Sequence, residues 1–376
     1  MKFVVSSSDL LSHLQAISRV ISNKNTLPIL DNFLFHMDGS NLEITASDLE
    51  STLITRMNLQ NASESGSVAI PAKILLDTLK EFADQPLTFD IDTDSYSIVI
   101  NSENGRFSVV GQNASDFPQL PAIKSDRKNS MRVSYDVLLN GINKTLFATA
   151  DDELRPVMNG IFIELGGDNL TFVASDSHKL VRYKRNDVKP GINASFILPK
   201  KPASLLKNIL PKESNDITIE FDEKNAIFTL TNYTLVCRLV EGNYPSYNSV
   251  IPVGNPNKLR LDRLEFYNSL RRVSVFANQA SNLVKLQLTG NQLTISAQDI
   301  DFSISAYERI KSTYDGDDME IGFKSVFLIE ILSNLTSGDV IFELSDPSRA
   351  GIMVPAEVET DGEDILMLLM PMMINA

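Results

Sequence analysis

Apolar and polar positions alternate with period two in three similar stretches of the chain, which run from Leu27 to Arg56, from Leu154 to Arg182 and from Leu283 to Arg309. In each stretch an alternating run meets a glycine-containing turn, a second run follows, and an aspartate comes after it, at Asp48, Asp176 and Asp299. Alternation interrupted by glycine predicts a β-hairpin. Because the aspartates lie 128 and 123 residues apart, the pattern predicts a threefold internal repeat.

A short strand and an amphipathic helix precede each hairpin, and a second strand and helix follow it before further strands close the repeat. In the first repeat Leu10, Leu14 and Ile17 recur at helical spacing behind a Ser/Asp cap. This order predicts an α+β fold of three similar tandem domains, each with antiparallel sheets and two helices. The polar, proline-bearing segments Pro118–Ser130 and Pro252–Asn257 predict domains at residues 1–120, 128–251 and 257–376.

The composition is that of a globular protein and limits its chemistry. Hydrophobic residues make up 43% of the 376 positions, and no unbroken apolar run approaches the roughly 20 residues that a membrane helix needs. The N-terminal segment lacks the long apolar core of a secretory signal, and the single cysteine, Cys237, excludes an internal disulfide. We therefore expect a cytoplasmic protein without a membrane partner.

The net charge argues against a nucleic-acid partner until its distribution is considered. The chain carries a formal charge of −14 and has a pI of about 4.8. Over the predicted helices, however, Lys and Arg exceed Asp and Glu by six; these helices are Ser8–Lys24, Ala72–Asp84, Tyr135–Ala150, Pro199–Lys212, Arg260–Ala277 and Phe323–Thr336. The distribution indicates a basic helical surface on an acidic protein, although Lys and Arg are also good helix formers on solvated faces.

Catalytic and metal-binding patterns are weak in this sequence. Asp176 and His178 suggest an acid–base pair, but Asp48 and Asp299 repeat the aspartate in repeats without that histidine, which favours a structural turn. The only other histidines are His13 and His36, so we expect no metal site, no cofactor and no enzymatic activity. Cys237 alternates with apolar neighbours and is predicted to lie in the core.

Several motifs resemble the bacterial sliding clamp family, the beta subunit of the replicative DNA polymerase. The most specific are MKF at the start, TLPIL from Thr26, DFP from Asp116, SDSHKL from Ser175, LVEGNYPSY from Leu239, MEIGF from Met319 and MPM from Met370. The resemblance covers the whole chain and keeps the order and spacing of the motifs. It implies a DNA clamp fold and a non-catalytic processivity factor.

The resemblance also implies the assembly and its partners. Members of this family form head-to-tail dimers whose six domains close into a ring around duplex DNA without sequence preference. The expected partners are double-stranded DNA, a second copy of the chain, the catalytic subunit of the replicative polymerase, the clamp loader and other proteins with a clamp-binding motif. The implied dimer-interface residues are Ile74, Phe107, Val109, Val275 and Phe276.

A peptide-binding pocket between the second and third domains is a further property of the family. Carried over position by position, its residues here are Met158, Ser175, His178, Lys179, Leu180, Pro245, Val250, Phe327, Leu368, Leu369, Met370, Pro371 and Met372. Methionine-rich apolar walls suit varied short peptides because a thioether side chain repacks easily. The predicted DNA-facing residues are Lys24, Lys200, Lys201, Lys207, Lys212, Arg271 and Arg272.

The sequence departs from the family pattern around this pocket. Ser177 stands where Gly is common, Lys179 and Ser249 stand where Arg is common, and four residues, Met373 to Ala376, follow the usual end of the tail. Peptide preference is therefore expected to differ. The rival interpretation is a three-domain protein-binding scaffold of the same fold that does not engage DNA, as the overall acidity suggests. The basic helices favour the clamp.

Overall fold

The fold is described from a computed structural model that covers residues 1–22, 24–119, 123, 128–358 and 360–374, with Gln60 described by its backbone alone. The chain forms two compact units: residues 1–139 and 201–239 make the first, and residues 140–200 and 240–376 make the second. Much of the predicted linker Pro118–Ser130 and the last two residues of the tail lie outside the described residues. The predicted domain boundaries therefore remain predictions.

The strands fall into three successive series. The first comprises β1 Lys2–Ser6, β2 Asn32–Asp38, β3 Asn41–Ser47, β4 Ser51–Asn58, β5 Gln60–Ser63, β6 Gly66–Pro71, β7 Pro86–Ile91, β8 Ser97–Asn101 and β9 Arg106–Val110. The second comprises β10 Asn129–Ser134, β11 Gly160–Gly166, β12 Asn169–Ser175, β13 Lys179–Arg185, β14 Ala194–Pro199, β15 Asp216–Phe221, β16 Asn225–Thr229 and β17 Tyr233–Arg238. The third comprises β18 Asn257–Asp262, β19 Leu283–Thr289, β20 Gln292–Asp299, β21 Ile304–Lys311, β22 Thr313–Asp315, β23 Met319–Lys324, β24 Asp339–Leu344, β25 Gly351–Pro355 and β26 Glu363–Leu369.

Two α-helices belong to each series among the described residues, as predicted. They are α1 Ser7–Ser18, α2 Ala72–Lys80, α3 Tyr135–Thr145, α4 Lys200–Ile209, α5 Arg263–Ser274 and α6 Ser325–Ser333. Each helix ends before the predicted residue. After α3 and α4 the chain tightens into 3₁₀ turns, and Pro211 in the second of these has no backbone N–H to continue an α-helix. None of the described helices is long and apolar enough to cross a membrane.

Local sequence explains how the helices start and which face they bury. The Ser6 hydroxyl accepts a hydrogen bond from the Asp9 backbone N–H and caps α1, as the Ser/Asp pattern predicts. Asp262 caps α5 in the same way. Leu10 and Leu14 of α1 are fully buried, so the apolar stripe of this helix packs against the sheets.

The strands pair antiparallel within each unit. In the first unit the sheets have the orders β5-β1-β7-β8-β9 and β10-β15-β16-β17-β4-β3-β2-β6. In the second unit the orders are β14-β11-β12-β13-β26-β25-β24-β18-β22 and β21-β20-β19-β23. The three predicted hairpins are β2–β3, β11–β12 and β19–β20, each closed by a two-residue turn. Gly39 and Gly290 occupy the first and third of these turns with φ values of +57° and +50°, a backbone conformation that residues other than glycine adopt only at a steric cost.

Two of these sheets join one repeat to the next. The strand that follows the first hairpin, β4, pairs with β17, the last strand of the second series. The equivalent strand of the second series, β13, pairs with β26, the last strand of the third. The equivalent strand of the third series, β21, pairs on one side only, with β20, and β9 pairs only with β8 among the described residues.

The repeated aspartates close the same kind of turn. Asp48 Oδ1 accepts hydrogen bonds from the backbone N–H groups of Glu50 and Ser51, at 3.0 and 2.7 Å. Asp176 and Asp299 each accept two backbone N–H bonds in the corresponding turns. The predicted structural role is therefore correct, because these carboxylates satisfy backbone groups that the hairpin ends leave without partners.

Cys237 lies in the core, as its neighbours predict. Its side chain is 1% exposed on β17, and burial raises the pKa of its thiol to about 12. The thiolate, which is the reactive form of cysteine, is therefore scarce at neutral pH.

Asp48 has a second contact that makes it a stability determinant of the first unit. Its Oδ2 atom pairs with Lys201 Nζ at 2.5 Å, and its side chain is 11% exposed. Replacing Asp48 with Ala removes this ion pair and leaves two backbone donors without their acceptor, so we expect a loss of about 1–3 kcal/mol in the free energy of unfolding. Urea unfolding monitored by circular dichroism measures this loss.

Asp90→Ala is the matched control for this variant. Asp90 lies 3.9 Å from Lys2, and both side chains are 58% exposed. An exposed pair of this kind contributes less than about 1 kcal/mol. Equal destabilisation by the two substitutions would contradict the role assigned to Asp48.

Candidate functional site

Several of the predicted pocket residues lie together in the second unit because β13 pairs with β26. In this register Lys179 lies opposite Leu369, and Leu180 lies opposite Leu368. The backbone N–H of Met370 donates to the carbonyl of His178 at 2.9 Å, which brings the tail beside the turn before β13. Residues almost 190 positions apart in the sequence thus form one surface.

The floor of the site is apolar. Leu180 and Leu368 belong to a buried cluster with Val173, Tyr247, Ile352 and Leu366. Met158, at the end of the 3₁₀ turn Pro156–Met158, is 7% exposed. Val250 and Met370 are 57% and 43% exposed and give the site apolar surface open to solvent. Such a combination suits an apolar side chain of a ligand more than a reacting group.

Two tyrosines hold the segment that carries Pro245 and Val250. Tyr244 stacks on Phe162 with 4.8 Å between ring centroids, and the Tyr247 hydroxyl donates to Glu164 Oε2 at 2.6 Å. Burial, followed by the bond to Glu164, raises the pKa of Tyr247 to about 12. Neither tyrosine was among the predicted pocket residues, although both occur in the LVEGNYPSY motif that could have indicated them.

The tail after β26 is anchored to a neighbouring strand. The Met372 N–H donates to the Gly322 carbonyl at 2.8 Å. A Cβ atom at Gly322 would lie 2.7 Å from the Met372 carbonyl oxygen, so a side chain there would displace the tail. Gly322 on β23 therefore positions the methionine-rich end, and sequence reasoning had not assigned it a role.

His178 is not part of an acid–base pair. Asp176 accepts hydrogen bonds from the backbone N–H groups of His178 and Lys179, and the imidazole ring instead stacks near Phe327, with 5.9 Å between centroids. No group of three or more His, Cys, Asp or Glu residues suited to a metal ion occurs among the described residues. The arrangement therefore presents an aromatic surface rather than catalytic chemistry.

Lys179 lies beneath this surface and not on it. Its side chain is 5% exposed, and Nζ lies 2.7 Å from Asp176 Oδ2 and 3.0 Å from Glu330 Oε2. The same ammonium group is 4.3 Å from the centroid of the Phe327 ring. Its contacts with the carboxylates and with the ring fix α6, which carries Phe327 and Glu330, against the start of β13.

A polar cavity of about 580 Å³ adjoins the apolar site and shares His178 and Lys179 with it. Its wall carries several carboxylates, at Asp151, Asp152, Glu153, Asp176 and Glu330. Lys200 pairs with Asp151 at 2.6 Å, and Arg155 pairs with Asp152 at 2.8 Å. The site therefore has an apolar floor on one side and a wall of ion pairs on the other.

The predicted DNA-facing cations fall into two groups. Lys200, Lys201 and Arg272 form ion pairs, with Asp151, Asp48 and Glu308 respectively. The Arg272 pair is bidentate, at 2.6 and 2.7 Å, and hydrogen bonding to Arg272 lowers the pKa of Glu308.

The second group is exposed and forms no such ion pair among the described residues; it comprises Lys24, Lys207, Lys212 and Arg271. Lys212 Nζ lies 3.5 Å from the Ser12 hydroxyl, and Arg271 lies over the Tyr267 ring. These four residues are better placed to attract phosphate than the paired ones, because their charge is not neutralised by a carboxylate.

The predicted interface residues include exposed apolar side chains in each unit. In the first unit Ile74 is 55% and Phe107 41% exposed, and both line a groove of about 770 Å³ with Phe82. In the second unit Val275 is 73% and Phe276 37% exposed at the end of α5. Val109 is partly buried on β9.

Sequence reasoning missed further apolar residues near Val275 and Phe276. They lie on β21 and the turn before it, and are Ile300, Phe302, Ile304 and Tyr307, with Ile300 80% and Phe302 73% exposed. Asn278 Nδ2 donates to Asp299 Oδ2 at 3.3 Å and ties this turn to the segment after α5. An exposed apolar surface of this kind indicates a protein-binding site.

Comparisons with known proteins identify the family and the fold of the chain. Models of the DNA polymerase III beta subunit match three successive parts of the chain: the N-terminal domain matches residues 1–121, the central domain 132–246 and the C-terminal domain 248–373. The predicted α+β fold of three tandem clamp domains is confirmed by these matches and by solved sliding clamps.

Individual relatives match over nearly their full length. A beta sliding clamp from Pseudomonas aeruginosa is 28% identical, covering 99% of this chain and 100% of the relative, and one from Synechocystis is 31% identical, covering 94% and 96%. The crystal structure of a Pseudomonas aeruginosa sliding clamp bound to griselimycin has a TM-score of 0.93 at 27% identity, with both chains fully covered. The chain therefore belongs to the DNA polymerase III beta subunit family, the family of the beta sliding clamps.

Proposed function

We propose that two copies of this chain pair head to tail into a ring that encircles duplex DNA and tethers replication proteins to it in the cytoplasm. Each copy contributes three domains, at residues 1–120, 128–251 and 257–376. The observation that carries the proposal is the incomplete series of strand pairs. Two junctions, β4–β17 and β13–β26, are made within the chain. The strands equivalent to a third junction, β21 and β9, each have an open edge in the part of the chain that the structure describes.

Pairing β21 of one copy with β9 of the other would complete the series. Such a contact joins two different surfaces, and a contact of this type must either close into a ring or extend into a filament. The exposed apolar residues support the same pairing. Phe107 and Ile74 are exposed on the surface that one copy would contribute, and Phe276 and Phe302 are exposed on the surface that the other copy would contribute. Burial of these side chains would stabilise the dimer largely without ionic contacts.

The helices are suited to line the opening of such a ring. Twelve helices with axes about 9 Å apart enclose a circle about 34 Å across, and removing about 10 Å for helix thickness leaves about 24 Å. Lys24, Lys207, Lys212 and Arg271 supply positive charge that is not paired with carboxylates among the described residues. Because such contacts involve phosphates and no bases, the ring would slide along DNA.

The apolar site beside His178 is proposed to bind a short linear segment of the replicative polymerase, of the clamp loader or of another partner protein. Its floor is Leu180, Leu368 and Met158, and Val250 and Met370 are open to solvent at its edge. An apolar side chain of the peptide entering this site would supply most of the affinity. None of the residues proposed to bind the peptide is among the residues proposed to close the ring.

We expect the dimer to depend on apolar residues on both proposed contact surfaces. Sedimentation should give about twice the 41.7 kDa chain mass, and raising NaCl from 50 mM to 1 M should change the dissociation constant little, since salt screens charges and strengthens apolar burial only weakly. Phe107→Asp and Phe302→Asp should each give monomers, because each puts a charge into the apolar contact.

Val253→Asp serves as the control for these two variants. Val253 is 98% exposed and belongs to neither proposed contact surface, so this substitution should leave the dimer intact. A monomeric wild type, or dimers of unchanged affinity in both phenylalanine variants, would count against the proposed closure.

Retention on DNA should be topological. The protein is loaded on nicked circular DNA by its clamp loader, the salt is raised to screen phosphate contacts, and the circle is then linearised. A closed ring should stay on the intact circle. After linearisation it should leave the DNA within the time needed to slide off an end. Gel filtration of the DNA fraction before and after linearisation measures the difference.

The outcome separates the ring from its rivals. Protein that stays bound after linearisation, or that leaves the circle as fast as the linear form, would show ordinary electrostatic binding. Failure to load at all, with an intact dimer and peptide site, would favour a protein-binding scaffold. The ion pairing of Lys200, Lys201 and Arg272 is the observation that keeps this scaffold in consideration.

A further inference from the structure

Ser177, at the edge of the apolar site, has a backbone conformation that side chains rarely adopt. Its φ is +78°, and it follows Asp176 in the turn before β13. The Ser175 hydroxyl accepts the Ser177 N–H at 3.2 Å and donates to the Lys179 carbonyl at 2.9 Å. Glycine adopts this conformation without steric cost, whereas for serine the conformation carries a steric cost.

The first repeat contains the same turn and shows what the turn itself requires. Leu49 follows Asp48 there, also with a φ of +78°. Ser47 accepts the Leu49 N–H at 3.2 Å and donates to the Ser51 carbonyl at 3.3 Å, which are the counterparts of the Ser175 bonds. These two turns therefore have the same conformation with a leucine and with a serine, and a role for Ser177 must come from the contacts of its hydroxyl.

The Ser177 hydroxyl joins two residues of the site. It accepts a hydrogen bond from Arg155 Nη1 and lies 3.8 Å from Met158 Sδ, to which it donates. The hydroxyl thus acts both as a donor and as an acceptor within the described residues. Met158 forms part of the apolar floor, so this hydroxyl links the floor to a charged residue at its rim.

Arg155 is held from its other side by Asp152. Arg155 Nε donates to Asp152 Oδ2 at 2.8 Å, and this bond is the main cause of the lowered pKa of Asp152. Asp152 is fixed in turn, since its backbone N–H donates to Asn159 Oδ1 at 2.9 Å. The guanidinium is half exposed and has five N–H donors, so it retains donors beyond those that bind Asp152 and Ser177.

We propose that Ser177 is a positioning residue for peptide binding. Its hydroxyl holds Arg155 next to Met158. An N–H group of the guanidinium is thereby oriented beside the apolar floor, where it can donate to an acceptor oxygen of the bound peptide. A mobile arginine side chain loses conformational entropy when it binds a ligand. An arginine that is already held in position loses less entropy on binding, so its contact with the ligand contributes more to the affinity. The proposal rests on the peptide-binding function proposed for this site. Glycine, which is common here in the family, could make neither contact of the hydroxyl.

Variants at Ser177 separate the hydroxyl from the backbone. The probe is a fluorescein-labelled peptide carrying the clamp-binding motif of the cognate replicative polymerase, with affinity measured by fluorescence anisotropy and stability by the thermal midpoint. Ser177→Ala removes the hydroxyl and keeps the Cβ, so affinity should fall about 2- to 10-fold, as for one side chain that must be ordered on binding. Its thermal midpoint should not rise.

Ser177→Gly should lower the affinity by the same factor but raise the thermal midpoint by about 1–2 °C, because it also removes the unfavourable backbone conformation. Leu49→Gly is the matched control: it relieves the same turn in the first repeat and should leave peptide affinity unchanged. Arg155→Ala should weaken binding at least as much as Ser177→Ala. The double variant Ser177→Ala/Arg155→Ala should bind no more weakly than Arg155→Ala alone, because the hydroxyl acts through the guanidinium.

Two results would overturn the role of Ser177. One is unchanged affinity in Ser177→Ala when the wild type binds the peptide, and the other is an additive loss in the double variant, which would mean that Ser177 acts independently of Arg155. A wild type that does not bind the peptide would be a different failure. It would remove the proposed peptide site itself, and the role of Ser177 with it.

Discussion

Pairing between strand edges is the interaction on which the rest of this structure depends. Every N–H and C=O group at a strand edge needs a partner or water, and the chain meets this need at two junctions by pairing strands of successive repeats. Each junction converts two small sheets into one of eight or nine strands. The five-stranded and four-stranded sheets that contain β9 and β21 are what remains. A second copy supplies the missing junction in the proposed ring.

The same pairing builds the candidate peptide site. The register of β13 against β26 sets Leu180 beside Leu368 and ends with the Met370 N–H bonded to the His178 carbonyl. An ion pair and a hydrogen bond across the junction reinforce it: Arg182 pairs with Asp364 at 2.8 Å, and the Tyr183 hydroxyl donates to Glu363. The site is thus rigid where two repeats meet, and its exposed apolar edge is carried by residues just outside the paired strands.

Local features of the fold could be predicted from the sequence. The hairpins, the helix caps and the turn role of Asp48, Asp176 and Asp299 follow from residues close together in the chain, where spacing and turn chemistry decide the structure. The exact helix ends could not, because the last turns of α3 and α4 pass into 3₁₀ geometry. The family resemblance supplied the pocket residues, and the local pattern alone would not have brought Leu180 and Leu368 together.

Contacts between distant residues account for what the sequence did not predict. Lys201 pairs with Asp48, 153 positions away, and this contact was not predicted. Lys179 is buried because Glu330 on α6 lies beside it, which no local pattern indicates. The exposure of Ile300 and Phe302 was missed for a related reason: alternation reveals that a strand has an apolar face, but whether another strand covers it depends on a partner that the sequence does not name.

Electron cryomicroscopy of the full chain in solution tests the central claim most directly, since it shows which strand edges are paired. We predict a closed ring of two copies in which β21 of each copy pairs antiparallel with β9 of the other, giving two further nine-stranded sheets. Single copies with both edges open at micromolar concentration would contradict the account, as would dimers joined through two copies of the same edge.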